Sequence, residues 1–139
     1  MTVCVAIKVI DGIVFAADSA VSWTIDTDQG AKVDNVWKHG HKVFNLHRDY
    51  PIVGMCSGLA HFGPNSISYL AKELRIELKK EIGEDPYDIE DIVNFASKYF
   101  DDAYQESGPK PSLSHSFEFW IGGYGNQNKT IPPNQISFQ

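Results

Sequence analysis

Thr2-Val3-Cys4-Val5-Ala6-Ile7-Lys8-Val9-Ile10-Asp11-Gly12-Ile13-Val14-Phe15-Ala16-Ala17-Asp18 is the stretch whose reading decides the fold. Two β-branched runs meet at Asp11-Gly12, and Asp-Gly between such runs is a strong short-range signal for a β-hairpin. With the turn near residues 11 and 12, positions whose numbers sum to a little over twenty lie opposite one another, which sets Thr2 against the region of Asp18 to Ser22. A hydroxyl and a carboxylate are thereby brought to one end of the hairpin. Thr2 also follows Met1 directly, and it is small enough that aminopeptidase trimming is expected to leave it at the mature N-terminus. It would then carry both a hydroxyl and an α-amine of unperturbed pKa roughly 7.7–8.0, nucleophile and base in one residue. Taken alone, a Thr behind a start Met is an ordinary strand residue at a frayed end, and Asp18 is a turn residue after an apolar strand.

The chain around this hairpin has 139 residues, 42% hydrophobic and 22% charged, which suits a single globular domain over residues 1–139. A formal net charge of −6 excludes a broad nucleic-acid surface, since binding phosphates needs clustered Lys and Arg. No apolar run approaches the length of a membrane span, and the start lacks the basic region, apolar core and cleavage site of a secretory signal. The expected compartment is the cytoplasm. Cys4 and Cys56 have no metal-ligand spacing and read as small core residues, with a disulfide as the lesser alternative. His39 and His41 alternate, but no acidic or Cys ligand completes a metal set beside them.

After Asp18, the polar segment Ser19 to Gly40 has no steady period and reads as an extended loop or irregular hairpin, with Trp23 and Trp37 near its ends. Lys42-Val43-Phe44-Asn45-Leu46 and Pro51-Ile52-Val53-Gly54-Met55-Cys56-Ser57-Gly58 predict a second strand pair, joined by the polar turn His47-Arg48-Asp49-Tyr50. A helix follows, with Asn65 or Ser66 as N-cap, an apolar stripe of Ile67, Leu70, Ala71, Leu74 and Leu78, and Gly83 at its end. A second begins near Pro86 or Asp88, repeats Ile89, Ile92, Val93, Ala96, Tyr99, Phe100 and Ala103 at helical spacing, and stops before Gly108. Phe117-Glu118-Phe119-Trp120-Ile121-Gly122-Gly123-Tyr124 predicts another strand, and the chain then runs through Asn126 to Lys129 toward Ile136-Ser137-Phe138.

The Thr2 start, the Asp11-Gly12 hairpin, Ala16-Ala17-Asp18-Ser19 and Ser57-Gly58-Leu59-Ala60 occur in the order found in proteasome β-type subunits, which the chain resembles. Those are N-terminal nucleophile (Ntn) hydrolases, and the Met-Thr-x-Cys-Val start is most similar to bacterial proteasome-like proteins of the Anbu type. The resemblance implies an α+β fold: a four-layer αββα sandwich of antiparallel sheets, in which paired helices cover one face. It implies a threonine-type peptidase or amide hydrolase without a cofactor, acting on peptide or protein substrates within a homo-oligomeric ring or spiral. By the same match Thr2 is the nucleophile, Asp18 and Lys42 the charged pair beside it, and Gly58 the oxyanion-hole glycine. Lys42 directly precedes the apolar strand pattern, while Lys38 and Lys32 are alternatives because Asp18 and Lys42 lie farther apart than in most such subunits. A positive charge near the Thr2 amine would lower its pKa toward a useful base, and the Gly58 N–H would donate to an oxyanion. Gly58 also fits a plain strand-to-helix bend.

The resemblance spans almost all of this sequence but little more than half of a proteasome-type subunit. The Ser and Asp that support the threonine in the later part of those subunits have no counterpart here, so the sequence reads as truncated at its C-terminal side. Two other readings therefore stand beside the hydrolase: a catalytically inactive assembly or interaction subunit, and a fragment that folds with a partner.

Overall fold

The computed structural model describes residues 2–83, 85–108 and 116–125. The fold is α+β, with two helices and several small antiparallel sheets. The expectations for Met1 and for residues 126–139 lie outside the described residues.

Strands β1 (Cys4–Val9) and β2 (Gly12–Ala17) form the expected hairpin, paired from Cys4 with Ala17 to Val9 with Gly12. The turn is Ile10-Asp11 rather than Asp11-Gly12. This register keeps Cys4, Ala6, Phe15 and Ala17 on one face, and a one-residue slip would send all of them to the other. The hairpin continues past the strands, because the Asp18 N–H donates to the Val3 carbonyl at 3.0 Å.

The segment expected as an extended loop or irregular hairpin is the second of these, a hairpin of β3 (Val21–Thr27) and β4 (Gly30–Trp37) with a bulge at Trp23/Thr24. Its β-branched residues, Val21, Thr24, Ile25, Thr27, Val33 and Val36, outweigh the polar composition that hid the pattern, and the bulge breaks the two-residue period. Its base is closed by Ser19, whose carbonyl accepts from the Gly40 N–H at 2.8 Å and whose Oγ donates to the Lys38 carbonyl at 2.7 Å.

Strands β5 (Val43–Asn45) and β6 (Ile52–Gly58) form the second expected pair. Two short strands, β7 (His61–Phe62) and β8 (Asn65–Ser66), lead into α1 (Ile67–Ile82). Ser66 caps α1, its Oγ accepting the Tyr69 N–H at 3.1 Å, while Lys79 and Lys80 offset the negative end of the helix dipole. Asp88 caps α2 (Ile89–Glu106) through a capping box, accepting from the Glu90 N–H at 2.8 Å while its own N–H donates to Asp91 at 3.2 Å. Strand β9 (Phe117–Gly123) returns to pair with β6, giving a three-stranded sheet of order β5-β6-β9.

Period-2 alternation gives that sheet two different faces. Phe44, Ile52, Cys56, Phe119 and Ile121 join Leu70, Leu74, Leu78, Ile92 and Phe100 of the helices in one core, and each fully buried aliphatic or aromatic side chain stabilises the fold by roughly 1.5–3 kcal/mol. The opposite face meets the β1–β2 hairpin. Phe15 lies against Gly122 so closely that a Cβ there would collide with its ring. The described layers are thus helices, a three-stranded sheet and a two-stranded sheet. The outer face of the hairpin leaves Val5, Ile7, Val9 and Val14 exposed.

His47, expected in a polar turn, is buried. It stacks on Tyr50 with ring centroids 4.5 Å apart, and its Nδ1 accepts the Asp49 N–H at 3.2 Å. The imidazole fills space between the β5–β6 connection and the core, which an exposed turn residue would leave empty.

Candidate active site

Two hairpins meet at the end of the sheets where β1 begins. Lys42 stands just before β5, where its carbonyl accepts the Cys56 N–H at 2.9 Å, so strand pairing places its backbone. Its side chain, only 8% exposed, reaches across to the first hairpin. There Nζ donates to Asp18 Oδ1 at 3.0 Å, to the Ala20 carbonyl at 2.6 Å and to Thr2 Oγ1 at 3.3 Å. An ammonium has three N–H donors, and each finds an acceptor here.

Asp18 is held equally closely. Oδ1 also accepts the Val3 N–H at 2.8 Å, and Oδ2 accepts the Ala20 N–H at 3.1 Å. The Val3 N–H first, and then the Lys42 hydrogen bond, keep its carboxyl below the usual carboxylate range. Because the carboxylate grips the amide of Val3, it also restrains the residue directly before it, Thr2. Of the alternatives, Lys32 lies on β4 and Lys38 just beyond it at the base of the hairpin, and neither ammonium bonds to Thr2 among the described residues.

Gly58 ends β6 with φ +89°, a conformation that L side chains rarely adopt, and a Cβ there would collide with the Ser116 carbonyl. Its amide direction follows from strand periodicity. The Cys56 N–H points toward β5, onto the Lys42 carbonyl, and the N–H two residues on points the same way. Since β5 starts only at Val43, Gly58 lies beyond the part of β6 that pairs with it, on the Lys42 side of the sheet. The Leu59 N–H points oppositely, onto Ser116 at 3.0 Å.

Two further groups belong to this end. Cys4, the first residue of β1 and two residues beyond Thr2, donates its thiol to the Cys56 carbonyl at 3.5 Å, and both cysteines are free thiols. Burial raises both, Cys56 to about 11, so neither is disposed to act as a thiolate. Ser57 Oγ donates to Glu118 Oε2 at 3.1 Å across β6 and β9. Sequence reasoning passed over the Ala20 carbonyl, the Val3 amide and this Ser57–Glu118 pair. The first two are backbone groups with no residue signature. Glu118 did leave one, as a lone carboxylate inside Phe117-Glu118-Phe119-Trp120-Ile121.

Among the described residues no three His, Cys, Asp or Glu side chains gather to hold a metal ion. A cleft of about 310 Å³ lined by Phe62, Phe100 and Phe117 opens between α2 and β9, on the helix side of the sheet and away from Thr2. No described helix is long and apolar enough to cross a membrane. No protein-family profile, curated protein or solved structure matches the chain.

Proposed function

We propose that the chain is a threonine-type amide hydrolase of the Ntn class, proteasome-like in its αββα plan, with Thr2 as nucleophile. The observation that carries this reading is the single Lys42 Nζ shared by Thr2 Oγ1 at 3.3 Å and Asp18 Oδ1 at 3.0 Å, at the end of a hairpin that presents the second residue of the chain.

The chemistry follows from that placement. Removal of Met1 frees the Thr2 α-amine, which takes the proton of its own hydroxyl as Oγ1 attacks the substrate carbonyl carbon. Lys42 already donates to Oγ1, so its charge stabilises the negative charge that builds up there and disfavours the protonated amine. The carbonyl oxygen becomes an oxyanion within reach of the Gly58 N–H, a fixed backbone dipole that needs no reorganisation. The amine then gives its proton to the leaving nitrogen as the C–N bond breaks, leaving an ester on Thr2. Water, deprotonated by the same amine, attacks that ester and restores the hydroxyl. Asp18 takes no proton in this cycle. It anchors Lys42 and, through Val3, the position of Thr2.

A second reading, an assembly subunit without turnover, is favoured by the exposed valines and isoleucine on the outer face of β1 and β2. Both readings take a homo-oligomer as the working form. They are separated by incubating the protein with a peptide boronate or epoxyketone and comparing wild type with Thr2→Ala by intact mass. The hydrolase requires loss of Met1 and an adduct on wild type alone. A folded, trimmed and oligomeric preparation that takes no label would leave the assembly subunit.

A further inference from the structure

Among the described residues Glu118, beside the proposed site, forms no ion pair with a cationic side chain. It projects from β9 onto the face that meets the β1–β2 hairpin, as the alternation with core-facing Phe117 and Phe119 requires. Among the described residues its carboxylate accepts a hydrogen bond from the Ser57 hydroxyl at 3.1 Å, and neither the Lys42–Asp18 nor the Lys80–Glu77 ion pair includes it. Ser57 lies between Cys56, whose carbonyl takes the Cys4 thiol, and Gly58, the proposed oxyanion donor. The Glu118 charge is also among those felt by the Cys4 thiol, so the carboxylate lies within electrostatic reach of the strand that carries Thr2.

Strand spacing gives the scale. Lys42 precedes β5 and Glu118 lies on β9, two strand intervals away, or roughly 10 Å at about 4.8 Å per interval. That span suits a long side chain reaching sideways from a residue whose carbonyl sits at Thr2. Charge complementarity decides which side chain. Lys42 is saturated by three acceptors, whereas Glu118 is exposed and offers open lone pairs to a cation.

We propose that Glu118, oriented by Ser57, is a specificity-determining residue that takes the cationic side chain of a lysine or arginine next to the scissile amide. The assignment rests on the Thr2 site proposed above, and the test separates the two. Binding is measured by calorimetry on the full-length Thr2→Ala variant, with an arginine-containing tripeptide amide and its leucine counterpart, so that no turnover is needed. A hydrogen bond to a charged group should make the arginine peptide bind at least about tenfold tighter, with the advantage shrinking at high salt. Glu118→Gln in the same background should bring the ratio to near one, and Glu118→Arg should turn the preference toward a glutamate peptide. A structural role for the Ser57–Glu118 bond would not produce that inversion.

Equal binding of the two peptides, no binding of either, or an arginine preference that survives Glu118→Gln would overturn the proposal. Labelling of Thr2 without a basic preference removes only the role of Glu118. A basic preference in a protein that takes no electrophile removes the threonine chemistry and leaves the cation site.

Discussion

Asp18 Oδ1 lies 3.0 Å from Lys42 Nζ and 2.8 Å from the Val3 amide nitrogen, so a single oxygen joins the lysine of the second hairpin to the backbone that carries Thr2. Each change at this junction therefore acts on both position and charge.

Lys42→Met should remove the donor to Thr2 and leave Asp18 without its ion pair. Because the Asp18 side chain is 31% exposed, solvent screens the loss, and the cost in stability should be about 1–2 kcal/mol rather than that of a fully buried pair. Electrophile labelling should slow by on the order of a hundredfold or more, as when a preorganised donor is lost. Denaturant titration and labelling rates on one preparation measure both effects. A variant that is destabilised but labels at the wild-type rate would show that Lys42 is structural.

The lowered carboxyl of Asp18 sets an acid limb. The unfolded chain binds the proton more readily, so the stability from this group is fully present above the unfolded value of about 3.9 and is lost as pH falls through the lower folded value. Asp18→Asn should flatten that part of the stability profile below about pH 4. Urea midpoints collected between about pH 5 and 2 for both proteins test it.

His47 gives a second slope of the same sign for a different reason. Burial, reinforced by the positive charges of Lys79 and Arg75 and opposed by Asp49, lowers its pKa in the folded state. Below the unfolded value of about 6.5 the unfolded chain binds more protons, so stability falls as pH drops from neutrality through that value toward the folded one. His47→Gln keeps an acceptor for the Asp49 N–H and cannot charge. Its melting temperature should depend less on pH between about 7 and 5 than that of wild type.

Gly58→Ala should cost about 1–3 kcal/mol, because its φ of +89° disfavours any Cβ and the added atom meets the Ser116 carbonyl. Moving that backbone also redirects the 58 amide, so labelling should drop even where the variant remains folded. Thermal melting separates the two effects, and a folded variant labelled at the wild-type rate would remove Gly58 from the oxyanion role.

Much of the fold was legible in the sequence because its signals are local. The 3.6-residue stripe from Ile67 to Leu78, the caps Ser66 and Asp88, and the two-residue alternation on either side of Asp11-Gly12 each depend only on near neighbours. The meeting of Thr2 with the region of Asp18 was legible for the same reason, since a hairpin register follows from its turn.

What the tertiary structure decided are the relationships between segments that no local period encodes. Lys38 and Lys32 have the same chemistry as Lys42, and the pairing of Cys56 with Lys42 places that lysine across from Asp18, while Lys32 lies on β4 and Lys38 closes the base of the β3–β4 hairpin through its carbonyl. Segment 21–37 became a hairpin because cross-strand hydrogen bonds and a bulge outweigh a weak local pattern. The burial of His47 and the joining of Ser57 to Glu118 likewise follow from packing and from the β6–β9 register, which bring together side chains 61 residues apart in the chain.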